Sequence, residues 1–275
     1  MSLRINHNIA SLMAQKNVNR STGAMTQSYA RLSSGLRITR AADDAAGLGV
    51  SENLRADIAS TAVAMRNTND GVSVVQIAEG ALSEVHSILT RMRELAMESA
   101  SGTLGDTERG YLQTEMDQIR SEIDRLANVT EFNGTNLLNQ ATSINVQVGI
   151  HSGANNTIGV TIASMTVAAL DVTGGNVSVA VASAAQAALE FIDTAIASVS
   201  SHRATLGAQQ NRLLHTYRNL EVGIENMTAA ESQIRDVDFA SETAELTKNQ
   251  ILSQAGVSVL AQANFAPQMA LSLLG

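Results

Sequence analysis

Apolar residues recur every three or four positions along four stretches of the chain, the spacing that lines up one face of an α-helix. The first runs from about Ile5 to Leu32; Ile5, Ile9, Leu12 and Met13 open its stripe, Tyr29 and Leu32 close it, and Ser33-Ser34-Gly35 signals a stop. The second spans about Asp43 to Ala100, with Val72, Val75, Ala78, Leu82, Val85, Leu89, Met92 and Ala96 as a seam several turns long. Ser101-Gly102-Thr103-Leu104-Gly105 breaks it. A third helix begins at Asp106, read as its N-cap, and carries Leu112, Met116, Ile119, Ile123 and Leu126. These two segments are expected to form an antiparallel hairpin whose turn, centred near residue 103, puts Arg91 level with Glu115 and Leu95 level with Tyr111. In the fourth, Leu189, Ile192, Ile196, Val199, Leu206, Leu213, Tyr217, Leu220, Ile224, Met227 and Ile234 share one heptad register, interrupted by Arg203 and Gln210. At about 1.5 Å per residue that helix is about 70 Å long, which only an elongated molecule can use. A last helix, about Ser241 to Leu274, carries a small-residue stripe of Leu252, Ala255, Val259, Leu260 and Ala263.

Between the third and fourth helices the period drops to two. Ile144, Val146, Val148 and Ile150, then Ile158, Val160 and Ile162, read as a β-hairpin turning across His151 to Asn156, and Val177, Val179 and Val181 read as one more short strand. From Gln140 to Ala188 the only charged residue is Asp171. The pattern therefore predicts a mainly α fold: an elongated antiparallel helical coiled-coil rod with a small central β-hairpin region at about 140–183, and the N- and C-terminal helices paired at one end.

Composition sharpens this picture. The 275 residues are 44% hydrophobic but only 3% aromatic, with no Trp, one Pro and 41 Ala. Large rings normally fill the core of a compact enzyme; here small side chains must be buried, which suits long helices packed closely. A net charge of −8 with two lysines, Lys16 and Lys248, offers no basic stripe for nucleic acid. The absence of Cys removes disulfides and thiol chemistry. The first nine residues lack the basic region and apolar run of a secretory signal, so Sec-type secretion is not expected. No charge follows Lys248, yet Ser253, Gln254, Ser258, Gln262, Asn264, Pro267, Gln268 and Ser272 interrupt that stretch, which reads as an amphipathic helix against protein and not a membrane span.

Catalytic chemistry finds no support. No phosphate loop, H-E-x-x-H pair or nucleophile elbow occurs, and His7, His86, His151, His202 and His215 lack ligand spacing. Asp43 and Asp44 start a helix, where carboxylates meet the macrodipole favourably. Neither an enzyme nor a cofactor or metal site is expected. The terminal helices point elsewhere, because a two-helix unit cannot cover wide apolar stripes by itself. Ile5, Ile9, Leu12, Leu252, Val259, Leu260, Phe265, Leu271 and Leu274 are left for contact between copies. A heterologous contact that does not close into a ring builds a helical filament, so the residues read as a self-assembling rod.

Several stretches carry a resemblance. Ile5-Asn6-His7-Asn8 with Ser11-Leu12, Arg31 to Ile38, Asp43 to Leu48, Arg66 to Gly71, Ala78 to Leu82, Arg93 to Ala96 and Phe132-Asn133-Gly134 resemble the amino-terminal region of bacterial flagellins. Gln250 to Asn264, Pro267-Gln268 and Leu271 to Leu274 resemble their carboxyl-terminal region. The resemblance implies an exported subunit of the flagellar filament used for swimming, in a short form without outer domains. The hook-filament junction protein is the alternative. It further implies an inner tube domain of residues 1–36 and 236–275 and a rod domain of residues 37–235, joined by a connector containing Arg31, Ser33, Gly35 and Arg37. Partners implied in the same way are further copies of the chain, the flagellar cap and hook-associated proteins, the type III export apparatus, and an export chaperone on about Ile234 to Leu274. A vertebrate flagellin-sensing Toll-like receptor would grip Arg91, Leu95 and Glu115. No nucleic acid and no membrane is implied, and the location is the secreted flagellar filament.

Overall fold

The computed structural model of the protein describes residues 7–272, with side chains as far as residue 265. In chain order the elements are α1 (Ile9–Ser34), α2 (Ala45–Ala100), α3 (Asp106–Val129), β1 (Glu131–Phe132), β2 (Thr135–Asn136), β3 (Thr142–Gln147), β4 (Thr157–Ile162), α4 (Ala182–Arg235) and α5 (Phe239–Ser272). They fall into two compact units, residues up to 58 with those from 225 onward, and residues 59–224.

Helix ends follow local chemistry. Asn8 caps α1, its side-chain oxygen accepting from the Ser11 N–H at 3.1 Å, and Gly35 ends the helix in the left-handed region at φ 72°. Asp44 caps α2 by accepting from the Gly47 N–H at 2.8 Å. Asp238 accepts from the Ala240 N–H at 2.9 Å at the head of α5. At α3 the cap position belongs to Gly105, so Asp106 is the first helical residue and not the N-cap expected from the sequence. There Asp106 and Glu108 place two carboxylates in the first turn, favourable to the macrodipole without a capping hydrogen bond.

In the first unit α1 and α5 lie side by side and antiparallel. Near-level pairs are Asn8 with Ala263, Ser11 with Asn264, Tyr29 with Gln250 and Arg31 with Glu242.

The second unit holds the hydrophobic core. The α2 seam, from Val75 through Ala78, Leu82, Val85, Leu89 and Met92 to Ala96, is fully buried against Met116 and Ile123 of α3 and Ile192, Val199, Leu206 and Leu213 of α4. Removing a Leu or Val of this size from water contributes about 1.5–3 kcal/mol, so the seam and not aromatic bulk holds the bundle. The β3–β4 hairpin pairs antiparallel from Thr142↔Ile162 to Gln147↔Thr157, and its alternation buries Val146, Ile158, Val160 and Ile162. Gly71 lets the hairpin approach α2: a Cβ there would stand 2.9 Å from Val146.

The further strand expected at Val177, Val179 and Val181 does not form. Val177 and Val179 are buried as the alternation requires, but α2 and α3 side chains take their backbone groups. Gln113 Oε1 accepts from the Val179 N–H at 2.8 Å, Ser99 Oγ donates to the Val179 carbonyl at 2.5 Å and Arg120 donates to the Val177 carbonyl at 2.8 Å. With those groups satisfied, no neighbouring strand is needed.

Candidate assembly and recognition surfaces

The terminal pair inverts the usual division between inside and outside. The covered positions of α1 include Ser11, Ala14, Val18, Ser21, Ala24 and Ser28, and those of α5 Asn249, Ser253, Gly256, Leu260 and Ala263. Both sets step by three and four, so the seam is a heptad pattern built mostly of small residues. Larger apolar side chains stand outside it: Ile9 is 57% exposed, Leu12 68% and Phe265 63%, with Met13, Ile251, Leu252, Val257 and Val259 also exposed. Of the positions expected to meet other copies, Leu260 is half-buried. Ile5 and Leu274 lie outside the described residues, and Leu271 lies in the backbone of α5, beyond the described side chains.

The expected connector residues gather where the chain leaves α1 and enters α5. The Arg37 N–H donates to the Arg235 carbonyl at 2.6 Å and the Val237 N–H to the Gly35 carbonyl at 3.0 Å, tying the two strands of chain together. The Arg37 guanidinium donates to the Ile234 carbonyl at 2.6 Å, and Arg31 pairs with Glu242 at 3.6 Å; Ser33 is exposed. Beside them the Asp43 carboxylate accepts from the Thr39 hydroxyl at 2.9 Å and from the Thr39 and Arg40 N–H groups at 3.1 Å. Those hydrogen bonds, the Thr39 hydroxyl foremost, hold its pKa below the usual carboxylate value.

On the α2–α3 hairpin, Arg91 meets Glu115 as the turn geometry requires. Its Nε and Nη2 donate to one Glu115 oxygen at 3.0 and 2.8 Å, and Nη1 to Glu94 at 2.9 Å. The Glu115 hydrogen bonds lead in raising the Arg91 pKa above its ordinary value. Leu95 does not share this surface. It is 0% exposed, whereas Tyr111, expected beside it, is largely in solvent. Because α2 packs against both α3 and α4, its buried arc is wider than a simple heptad stripe, and position 95 falls inside it with Met92 and Ala96.

Among the described residues no group of three or more His, Asp or Glu could hold a metal, and no helix is long and apolar enough to cross a membrane. Residues 5–143 match the family model for the bacterial flagellin N-terminal helical region, and residues 189–274 match that for the C-terminal helical region. A flagellin of Halalkalibacterium halodurans is 44% identical over 98% of this chain and 99% of its own length. This chain belongs to the bacterial flagellin family. The flagellar filament 33 kDa core protein of Treponema phagedenis is 41% identical over 98% of this chain and 99% of its own length. The solved structure of a putative flagellar hook-associated protein from Vibrio parahaemolyticus superposes with a TM-score of 0.59 at 17% identity, over 70% of this chain and 100% of that one, a likeness of fold alone. Flagellin membership makes the chain a structural filament subunit and not an enzyme.

Two features of this flagellin chain lie outside the expectations drawn from its sequence, and only the first carries a sequence signal. Asn133-Gly134 makes a tight hairpin between β1 and β2, with φ 49° and 74°, and Asn-Gly is a strong hairpin signal. Glu52, on the exposed side of α2, accepts from Arg235 at 2.7 Å, and Arg55 stands 4.0 Å from Glu231. No spacing rule in the sequence brings those distant residues together.

Proposed function

We propose that the chain is exported and polymerises into the bacterial flagellar filament through the outward faces of its terminal helices. The observation that carries this reading is that Ile9, Leu12, Leu252, Val259 and Phe265 stay exposed although α1 and α5 are already paired. A side chain of that size gains about 1.5–3 kcal/mol when taken out of water, so several per subunit reward stacking. Ile5, Leu271 and Leu274 are proposed as further contacts between copies from their place in the sequence alone, and half-buried Leu260 supports that face from within the α1–α5 seam. Residues 1–36 and 236–275 form the tube-lining domain and residues 37–235 the rod, with Arg31, Ser33, Gly35 and Arg37 as the joint; the backbone pairing of Gly35 and Arg37 with Val237 and Arg235 supports a joint there.

Before assembly the apolar faces of α5 need cover, which supports an export chaperone on about Ile234 to Leu274 and passage through the type III apparatus. Cap and hook-associated proteins are the other flagellar partners. Arg91 and Glu115 form the outer part of a Toll-like receptor epitope, and buried Leu95 contributes to it by holding α2 in place. The test is assembly: filaments dissociated by heat or acid to monomers regrow into long filaments on added seeds. A chain that stays monomeric on seeds overturns this reading and favours a junction protein.

A further inference from the structure

We infer that Asn8 is a positioning residue that sets the register of α1 against α5 by filling a carbonyl left without a donor by Pro267. In an α-helix each carbonyl accepts from the N–H four residues on. The backbone of α5 runs through Pro267, the one proline of the chain, which has no N–H to give. The carbonyl it leaves open is that of Ala263. Asn8 Nδ2 donates to that carbonyl at 2.8 Å.

The same amide does a second task. Asn8 Oδ1 accepts from the Ser11 N–H at 3.1 Å and so caps α1. The two partners fix which end of the amide points where, since Ser11 offers a donor and Ala263 an acceptor. One turn inward, Ser11 Oγ donates to Asn264 Oδ1 at 2.7 Å, holding the same level.

A seam of small residues specifies register weakly, because sliding by a heptad sets small residues against small residues again. The open carbonyl removes that degeneracy. One heptad back along α5 the matching carbonyl is that of Gly256, which already has the N–H of Leu260, so the Asn8 amide would find no free acceptor. At this end of the pair a polar contact thereby discriminates between registers that the small-residue seam alone leaves alike, as a buried Asn does in coiled coils.

The chain has no cysteine, so a cross-link can report this register cleanly. A Cβ on Gly256 stands 3.9 Å from Val18 Cβ, inside the roughly 3.5–4.5 Å span of disulfides, so Val18→Cys with Gly256→Cys bridges only in the native register. The rate of bridging under oxidised glutathione is measured in the soluble chain and in seeded polymer, with Asn8, Asn8→Asp or Asn8→Ala. Asp caps a helix as well as Asn but cannot donate to Ala263. Both variants are expected to bridge roughly threefold to tenfold more slowly, the factor one net hydrogen bond provides. With Pro267→Ala, which restores the missing N–H, Asn8→Asp is expected to lose its effect.

Asn8→Asp bridging at the parent rate, with only Asn8→Ala slow, would reduce Asn8 to a plain cap and overturn the inference. So would an Asn8→Asp defect unchanged by Pro267→Ala. A parent that bridges in neither form refutes the register itself. A parent that bridges but does not grow on seeds overturns only the assembly reading above.

Discussion

Glu52 Oε1 accepts a 2.7 Å hydrogen bond from Nη1 of Arg235, joining the first turns of α2 to the last turn of α4. The Arg235 side chain is only 15% exposed, so Glu52 offsets part of the cost of holding its charge away from water. The hydrogen bond from Arg235 holds the Glu52 carboxyl below its ordinary pKa of 4.5. The folded chain therefore binds fewer protons at this group than the unfolded chain as pH drops. The pair's stabilisation is complete above the ordinary value and disappears as pH falls through the lower, folded one. Glu52→Gln is expected to lower the unfolding temperature at neutral pH and to flatten part of its decline below pH 4.5. Circular-dichroism melts of both chains across that range decide it; an unaltered acid limb in the variant rules the pair out.

Gly23 and Gly256 sit in facing helices yet should respond oppositely to alanine. A Cβ on Gly23 meets nothing within 4 Å, whereas one on Gly256 stands 2.7 Å from Val18 Cγ2. Glycine inside a helix costs about 0.5–1 kcal/mol relative to alanine, so Gly23→Ala is expected to raise stability by about that amount. Gly256→Ala should lower it by about 1–3 kcal/mol through overpacking, and adding Val18→Ala should recover much of the loss. Thermal unfolding of the three variants checks the signs. A stabilising Gly256→Ala would mean that the helices do not meet at this point.

Ser99 Oγ reaches the Val179 carbonyl from a fully buried position near the end of α2. Replacing it with alanine strands that carbonyl without a donor, a loss of about 1–3 kcal/mol. The variant Ser99→Ala should therefore unfold at lower urea concentration, and amide exchange should quicken around Val177 and Val179 before it does in α2. Uniformly quicker exchange across the second unit would show that Ser99 matters to helix packing and not to the segment it clasps.

What the sequence disclosed divides along physical lines. The α2, α3 and α4 seams and the β3–β4 hairpin were legible because burial repeats at helical or strand period, and the pairing of Arg91 with Glu115 followed from the length of one turn. Val177 and Val179 misled for the same reason: their alternation reports which side chains are buried, and Gln113, Ser99 and Arg120 decide where the backbone hydrogen bonds go. The length of one turn says nothing of burial: Leu95 lies inside the buried arc of α2 because that helix has two neighbours, α3 and α4. The contact of Asn8 with Ala263 joins residues 255 apart in sequence and follows from no local period.

Leu95 and Arg91 stand one turn apart on α2 and are expected to separate in experiment. Leu95 is wholly buried, so Leu95→Ala opens a cavity and should cost about 2–5 kcal/mol, while Leu95→Met, close in volume, should cost less than about 1.5 kcal/mol. Arg91→Ala removes an exposed ion pair and should leave the unfolding midpoint nearly unchanged. On cells bearing the flagellin-sensing receptor, Arg91→Ala should lose activity at full stability, Leu95→Ala should lose it together with the fold, and Leu95→Met should keep it. If Leu95→Met abolishes activation without lowering stability, Leu95 must reach the receptor directly, and the helix would have to turn or open there on binding.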